Sequence, residues 1–205
     1  MHHDANIILA SGSRARREML RAAGVSFTVE TADVDEDAIR DALLDDSAQL
    51  TVDAVDVAEI LAVAKAEAVS RLQPDAFVIG GDQVLAFDDE ILVKPKDEAA
   101  ARHQLESFRG KVHALHSAVA LAHEGETLWS TVDTAEMYVR GFSDAFLDDY
   151  MRRTGRTVLD SVGAYLLEGQ GIQLFDRIDG DYFTVLGMPL MPLLAELRAR
   201  HLLLT

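Results

Sequence analysis

Residues 6–20 read Asn6-Ile7-Ile8-Leu9-Ala10-Ser11-Gly12-Ser13-Arg14-Ala15-Arg16-Arg17-Glu18-Met19-Leu20, and this stretch decides the fold class. Asn6–Ala10 is short, apolar and β-branched, as a buried strand is. Ser11-Gly12-Ser13 interrupts it. Ser13 then suits the N-cap of a helix over Arg14–Ala23, where Met19, Leu20 and Ala23 recur at helical spacing. Gly24 stands where a helix C-terminus favours glycine.

Outward from this unit the alternation continues. Val25–Glu30 has strand character, and Asp33–Asp46 is an acidic loop with a short helix. Asp53–Leu72 carries Val57, Ile60, Leu61, Ala64 and Ala68 on the 3.6-residue period, and Pro74 closes it. Ala76–Gly80 predicts a buried strand ending at Gly81-Asp82-Gln83. A short strand over Glu90–Val93 leads into Lys94-Pro95, and a helix covers Asp97–Phe108. Val112–Ala122 and Thr127–Arg140 are long strands paired around Glu124-Gly125-Glu126. Ser143 caps a helix to Arg153. Ser161–Leu167 and Ile172–Ile178 predict a second hairpin with Gly169 and Gly171 in its turn, and Met188–Leu202 is a final amphipathic helix with Pro189 in its first turn. Helices alternate with strands early and hairpins dominate late, which predicts an α/β fold: a mixed sheet with helices on both faces. With no repeat and no low-complexity linker, residues 1–205 are expected to form one domain.

Composition narrows the function. Nineteen Lys and Arg against 35 Asp and Glu give a formal net charge of −16. Such a surface repels nucleic-acid backbones and anionic membranes, so any phosphate must be held by a few placed cations, helix N-termini or a metal. There is no cysteine, which removes disulfides and Cys-based zinc sites. His103, His113, His116, His123 and His201 lack metal-ligand spacing, and His2 and His3 belong to the chain start. Neither a signal peptide nor a run of roughly 18 apolar residues is present, so no membrane partner and a cytoplasmic location are expected.

Five groups of residues carry chemical potential. Ser11-Gly12-Ser13, at a strand-to-helix junction, lets a backbone approach an anion, and Arg16 adds a planar fork for phosphate oxygens; read locally, it is also an ordinary capped helix. Asp82 is either a turn aspartate or a carboxylate that holds a cation or deprotonates water. Lys65, near the edge of an apolar helix face, and Lys94, extended before Pro95, are either solvated or directed at a phosphate. In Val34-Asp35-Glu36 a carboxylate can share a metal with Asp82 or be one more acid in an acidic loop. Glu168-Gly169-Gln170-Gly171 is a turn with an exposed acid or a ligand contact.

The order of these groups is more specific than any one of them. Leu9–Leu20 resembles the opening signature of the Maf family, LASxSPRRxELL. Val34-Asp35-Glu36, Ala64-Lys65-Ala66, Gly81-Asp82-Gln83-Val84, Lys94-Pro95, Ser161-Val162-Gly163-Ala164-Tyr165, Gly180-Asp181-Tyr182 and Val185–Leu190 follow in the family's order. Arg14 replaces the usual proline, Ala15 one of the usual arginines, and Ser161-Val162-Gly163 a common Lys-Ala-Gly.

The resemblance implies two lobes around a central cleft, as in Maf and inosine triphosphatase-like proteins. It also implies hydrolysis of a nucleoside triphosphate between its α and β phosphates, giving a monophosphate and pyrophosphate. It implies a divalent cation, Mg²⁺ or Mn²⁺, held by Glu36 and Asp82, with Asp82 catalytic. Ser11, Arg16, Lys65 and Lys94 match the family's other polar residues, and homodimers are common in it. Asp82-Gln83-Val84 together with Glu168 resembles the subgroup that favours 7-methyl-GTP, which makes Gln83, Glu168 and Ala15 substrate contacts near the base. An ionised Glu168 accepts from the paired donors of a guanine edge, and N7 methylation makes the base cationic. The family name also refers to septum formation, so the alternative is a non-catalytic nucleotide-binding regulator of cell division.

Overall fold

A computed structural model describes residues 6–31, 33–44 and 51–204. His2, His3, Asp45 and Asp46 lie outside them. Among the described residues seven strands and seven α-helices follow one another as β1 Ile7–Ala10, α1 Arg14–Ala22, β2 Thr28–Val29, α2 Glu36–Ala42, α3 Ala54–Leu72, β3 Phe77–Phe87, β4 Glu90–Leu92, α4 Glu98–Phe108, β5 Val112–His123, β6 Glu126–Val139, α5 Asp144–Thr154, β7 Phe175–Asp179, α6 Tyr182–Val185 and α7 Leu190–Ala199. The sheet order is β2-β1-β3-β5-β6-β7, with β4 on β3. β1 runs parallel to β2 and β3, while β4 and β7 pair antiparallel with β3 and β6, so the sheet is mixed.

The chain divides into two compact units. One comprises Met1–Gln83, His116–Asp133 and Tyr182–Thr205, the other Val84–Leu115 and Thr134–Asp181. The first unit shows helices on both faces of its sheet. Ile7 and Leu9 of β1 pack with Met19 and Leu20 of α1 and with Leu193 and Leu197 of α7. Ile8 and Ala10, one residue out of phase, pack with Val69 of α3. A four-residue run that is apolar at every position is thus covered twice, as a parallel strand requires. The second unit gathers an aromatic core, in which Phe108 meets Phe87 edge-on and stacks on His113, and Tyr165 meets Phe175 edge-on.

Three sequence expectations are corrected. The strand expected to end at Gly80 runs on through Asp82 to Phe87. Gly80-Gly81 reads as a turn, but here the glycines serve close packing within the strand. A Cβ on Gly80 would stand 2.2 Å from the Ala62 carbonyl oxygen and 2.8 Å from the Ala66 Cβ, so α3 lies directly on the backbone of β3. The expected hairpin over Ser161–Leu167 and Ile172–Ile178 does not form. β7 pairs with β6, and the segment before it is a 3₁₀ turn at Gly155–Asp160, irregular chain, and a second 3₁₀ turn at Gln170–Leu174. Its apolar residues Ala164, Tyr165 and Leu167 are buried all the same, without strand pairing. The strand expected over Val25–Glu30 shortens to Thr28–Val29. The β5–β6 hairpin is as expected: Glu124 at φ 53° and Gly125 at φ 82° both take the left-handed conformation that a tight two-residue turn requires.

Candidate active site

The period of a strand explains the site. Gly80 faces α3, so Asp82, two residues on, emerges on the same side. There Lys65 of α3 brings Nζ to 2.6 Å from Asp82 Oδ1. The same ammonium stands 2.7 Å from Glu36 Oε1. Glu36 opens α2, whose N-cap is Asp35: the Asp35 side chain accepts from the Ala38 N–H at 2.9 Å. One turn on, Arg40 donates from Nη2 to Glu36 Oε2 at 3.1 Å. Lys65 thereby joins two carboxylates that are 46 positions apart in sequence (82 − 36).

These are buried charges. The Lys65 side chain is 13% exposed and that of Asp82 8%. Burial pushes the Glu36 carboxyl pKa up, but the hydrogen bond and charge of Lys65, with those of Arg40, outweigh it and leave the group below its ordinary value. Glu36 is therefore held ionised. Asp82 Oδ2 is buried without a hydrogen-bond partner. An unpartnered carboxylate oxygen in such a setting is destabilising by several kcal/mol unless a donor or a cation binds it, which is a reason to look for a functional role.

Gly81 and Gln83 emerge on the opposite face of β3. A Cβ on Gly81 would stand 3.2 Å from Arg16 Nε, so the Arg16 stem lies against bare backbone. Arg16 is only 8% exposed. It donates from Nε to the Gly187 carbonyl at 2.7 Å and from Nη1 to Ser11 Oγ at 3.2 Å. Burial lowers its pKa, while the charges of Asp82 and Glu36 pull it back up. Ser11 Oγ also accepts from the Ser13 N–H at 3.2 Å, and Ser13 caps α1 by accepting from the Arg16 N–H at 3.4 Å. Gln83 donates through Nε2 to Ser117 Oγ at 2.9 Å and to the Thr184 and Val185 carbonyls at 3.1 Å each.

Of the residues singled out from sequence, the first compact unit holds Ser11, Ala15, Arg16, Glu36, Lys65, Asp82 and Gln83. Hydrogen bonds and ion pairs link Ser11 with Arg16, and Glu36 with Lys65 and Asp82. Ala15 is half-buried on α1 without a polar role of its own. Lys94 and Glu168 belong to the other unit. Lys94 is exposed after β4; Glu168 is exposed beside Gly169, Gln170 and Gly171, which with Tyr150, Arg153, Thr154 and Leu166 line a cavity of about 240 Å³.

Sequence reasoning missed four contributors. Arg40 was hidden because an i,i+4 Glu–Arg pair is usual on any exposed helix. Ser117 and Thr184 are uncharged and single. The Gly187 carbonyl is main chain, although the glycine itself stood in a recognised block; its φ of 103° is the signal.

A divalent cation was tested against these residues. Asp82 Oδ2 has no hydrogen-bond partner, Glu36 and Asp82 supply oxygen ligands close enough to share one ammonium, and hard oxygen ligands suit Mg²⁺ or Mn²⁺. Among the described residues no group of three or more His, Cys, Asp or Glu is placed to enclose a metal. Mg²⁺ commonly takes one or two carboxylates and completes its shell from substrate phosphate and water, so the donor set fits.

A family model described as Maf-like protein matches residues 6–200. A protein of Brucella suis biovar 1, named 7-methyl-GTP pyrophosphatase, is 51% identical over 94% of this chain and 94% of its own length. One of Rhizobium meliloti with the same name is 46% identical over 94% of both. A nucleoside triphosphate pyrophosphatase of Maricaulis maris is 47% identical over 93% of this chain and 94% of its own. Among solved structures, a nucleoside-triphosphatase / dITP/XTP pyrophosphatase of Mycobacterium abscessus aligns at 15% identity with a TM-score of 0.38, over 75% of this chain and 95% of that one, too slight a likeness to bear on the fold. A family match across almost the whole chain, with relatives near half identity over the same span, means that the chain belongs to the Maf-like protein family.

Proposed function

We propose that the protein is a nucleoside triphosphate pyrophosphatase that hydrolyses the bond between the α and β phosphates. The observation that carries this reading is Asp82: a buried carboxylate with one oxygen on Lys65 and the other without a hydrogen-bond partner. In the proposed reaction a water oxygen bonds to a phosphorus flanking the bridge. The phosphorus–oxygen bond of the bridge breaks, the nucleoside monophosphate and pyrophosphate separate with the water oxygen on whichever phosphorus was attacked, and the proton lost by water passes to Asp82 Oδ2. Such displacement depends on an oriented water and neutralised charge more than on covalent catalysis. Lys65 is the nearest cation, and Arg16 with the Ser11 turn supplies a fork for phosphate oxygens at the start of α1. Lys94 adds a further positive charge in the family's pattern.

Glu36 and Asp82 would hold the divalent cation, Mg²⁺ or Mn²⁺, which when bound polarises phosphate oxygens. The names of the relatives and the occurrence of both Gln83 and Glu168 in the sequence support 7-methyl-GTP as the favoured nucleotide, with Glu168 accepting from the guanine edge. A cytoplasmic homodimer, acting on free nucleotides and not on polymeric nucleic acid, completes the proposal; no helix among the described residues is long and apolar enough to cross a membrane.

Incubation with a nucleotide panel, with product identification, tests it. Monophosphate and pyrophosphate are expected, with 7-methyl-GTP turned over faster than UTP or dTTP, and EDTA should stop the reaction. Release of orthophosphate would overturn the cleavage site, and full activity in EDTA the metal. Binding without turnover would favour a non-catalytic regulator.

A further inference from the structure

Arg40 belongs to none of the ordered blocks, yet it completes the ion-pair cluster of the first compact unit. Glu36 is held from two sides. Its Oε1 stands 2.7 Å from Lys65 Nζ, and its Oε2 accepts from Arg40 Nη2 at 3.1 Å. Lys65 Nζ in turn stands 2.6 Å from Asp82 Oδ1. The Arg40 side chain is largely buried, and its Nε has no hydrogen-bond partner. Its other carboxylate contact, to Asp37 at 3.3 Å, is with a side chain that is 92% exposed.

Charge decides what such a cluster can bind. Lys65 and Arg40 match Glu36 and Asp82 one for one, and Arg16 lies within the field of both carboxylates. The positive charges therefore outnumber the negative. Asp35 and Asp37, the neighbours of Glu36 in sequence, are exposed and screened by water. Among the described residues no group of three or more His, Cys, Asp or Glu is placed to enclose a metal. A bare divalent cation would shed part of its water here and meet an ammonium and a guanidinium already seated on the two carboxylates. A triphosphate reverses the balance, because it keeps net negative charge after one divalent cation has bound it. It supplies oxygen ligands for the cation and counter-charge for Lys65 and Arg40 together.

We propose that the site takes its divalent cation together with the triphosphate rather than beforehand, and that Arg40 enforces this by neutralising Glu36 in the unliganded protein. This rests on the reading of Glu36 and Asp82 as ligands of the cation and of a nucleoside triphosphate as substrate. Arg40 acts on the cation through Glu36 and is a positioning residue. Removing its charge frees one carboxylate, so the protein should then accept the cation alone.

The test measures protein-bound Mn²⁺ by equilibrium dialysis and calorimetry, alone and with a non-hydrolysable α,β-methylene analogue of GTP. The proteins are the wild type, Arg40→Gln and Arg40→Lys. In the wild type the analogue should tighten Mn²⁺ binding by at least roughly 10-fold. Arg40→Gln keeps a donor for Glu36 and removes the charge. It should bind Mn²⁺ alone roughly 10-fold to 100-fold more tightly than the wild type, the scale of one neighbouring charge acting on a divalent ion in a partly buried site. It should also gain less from the analogue. Arg40→Lys keeps the charge and should follow the wild type, which separates charge from a packing defect. If Arg40→Gln folds poorly, the wild-type comparison still decides. Wild-type Mn²⁺ binding as tight without the analogue as with it, or Arg40→Gln binding Mn²⁺ no more tightly than the wild type, would overturn the proposal. Wild type that binds Mn²⁺ and the analogue together but hydrolyses no nucleotide would refute the pyrophosphatase reading alone.

Discussion

The two compact units bury polar groups in opposite ways. In the first, Lys65, Asp82 and Arg16 are buried as charges, and opposite charge keeps them so: Lys65 between two carboxylates, Arg16 within the field of Asp82 and Glu36. In the second, His113 and Tyr165 are buried as neutral partners, 2.6 Å apart between His113 Nε2 and the Tyr165 hydroxyl, with Phe108 stacked on the imidazole. Burial pushes the His113 pKa down to about 3 and that of Tyr165 well up, and no opposite charge offsets either shift. The same desolvation thus yields a reactive site where counter-charge is supplied and an inert core where it is not. A buried histidine is no more a catalyst than any apolar side chain when its environment holds it in one protonation state.

The largest effect should come from removing the shared cation of the first unit. Lys65→Ala leaves the buried Asp82 without its ion-pair partner, while Glu36 keeps Arg40, and breaking such a buried pair destabilises by about 3 kcal/mol. Lys94→Ala, at an exposed position, should stay within about 0.5 kcal/mol. Chemical denaturation of both variants measures the contrast. Equal stabilities would mean that Lys65 is not the keystone its geometry makes it.

Asp82→Asn comes next. It retains size and loses charge and basicity, so turnover should drop by at least roughly 10²-fold while the fold survives. Wild-type rates in this variant would move the catalytic centre away from β3.

The second unit supplies the third prediction. The folded-state pKa of His113 lies below the ordinary value of 6.5, so the stability it contributes is complete above pH 6.5 and is lost as pH falls toward about 3. Between pH 6.5 and pH 5 the loss is about 2 kcal/mol. His116, whose pKa burial also lowers, adds in the same direction. His113→Phe should flatten the pH dependence of unfolding over this range and leave turnover at neutral pH unchanged. A variant with the wild-type slope, or with reduced turnover, would erase the distinction between site and core.

The smallest effect is expected at Glu168, an exposed residue of the second unit with a proposed ligand role. Glu168→Gln should shift the preference for 7-methyl-GTP over UTP by roughly 10-fold or less, the scale of one exposed charge-assisted contact. Side-by-side kcat/KM values measure it, and unchanged selectivity would remove Glu168 as the base reader.

Much of the fold was legible because its signals are local. NIILA followed by Ser-Gly-Ser marks β1 and α1, the apolar period marks α3, and Glu124-Gly125 marks the β5–β6 turn. The failures share one cause. Gly80-Gly81 ends a strand by local rules, yet here it lets α3 and the Arg16 stem touch the backbone of β3. Ser161–Leu167 is apolar like a strand, but β7 finds its partner in β6 instead. Strand pairing and helix–sheet contact join distant residues, and no window of sequence contains both sides of them.

The sequence by itself determined the net charge of −16, the absence of cysteine, the alternation of helix and strand, and the ordered blocks that carry Ser11, Arg16, Glu36, Lys65 and Asp82. Tertiary structure alone decided that Lys65 bridges two carboxylates, that one oxygen of Asp82 is buried without a partner, and that Gln83 bonds to Ser117 and to the carbonyls of Thr184 and Val185. The reason is physical. Charge and propensity belong to residues and can be read along a chain, whereas burial and hydrogen-bond partners belong to pairs of atoms that only the folded sheet brings within 3 Å or so of each other.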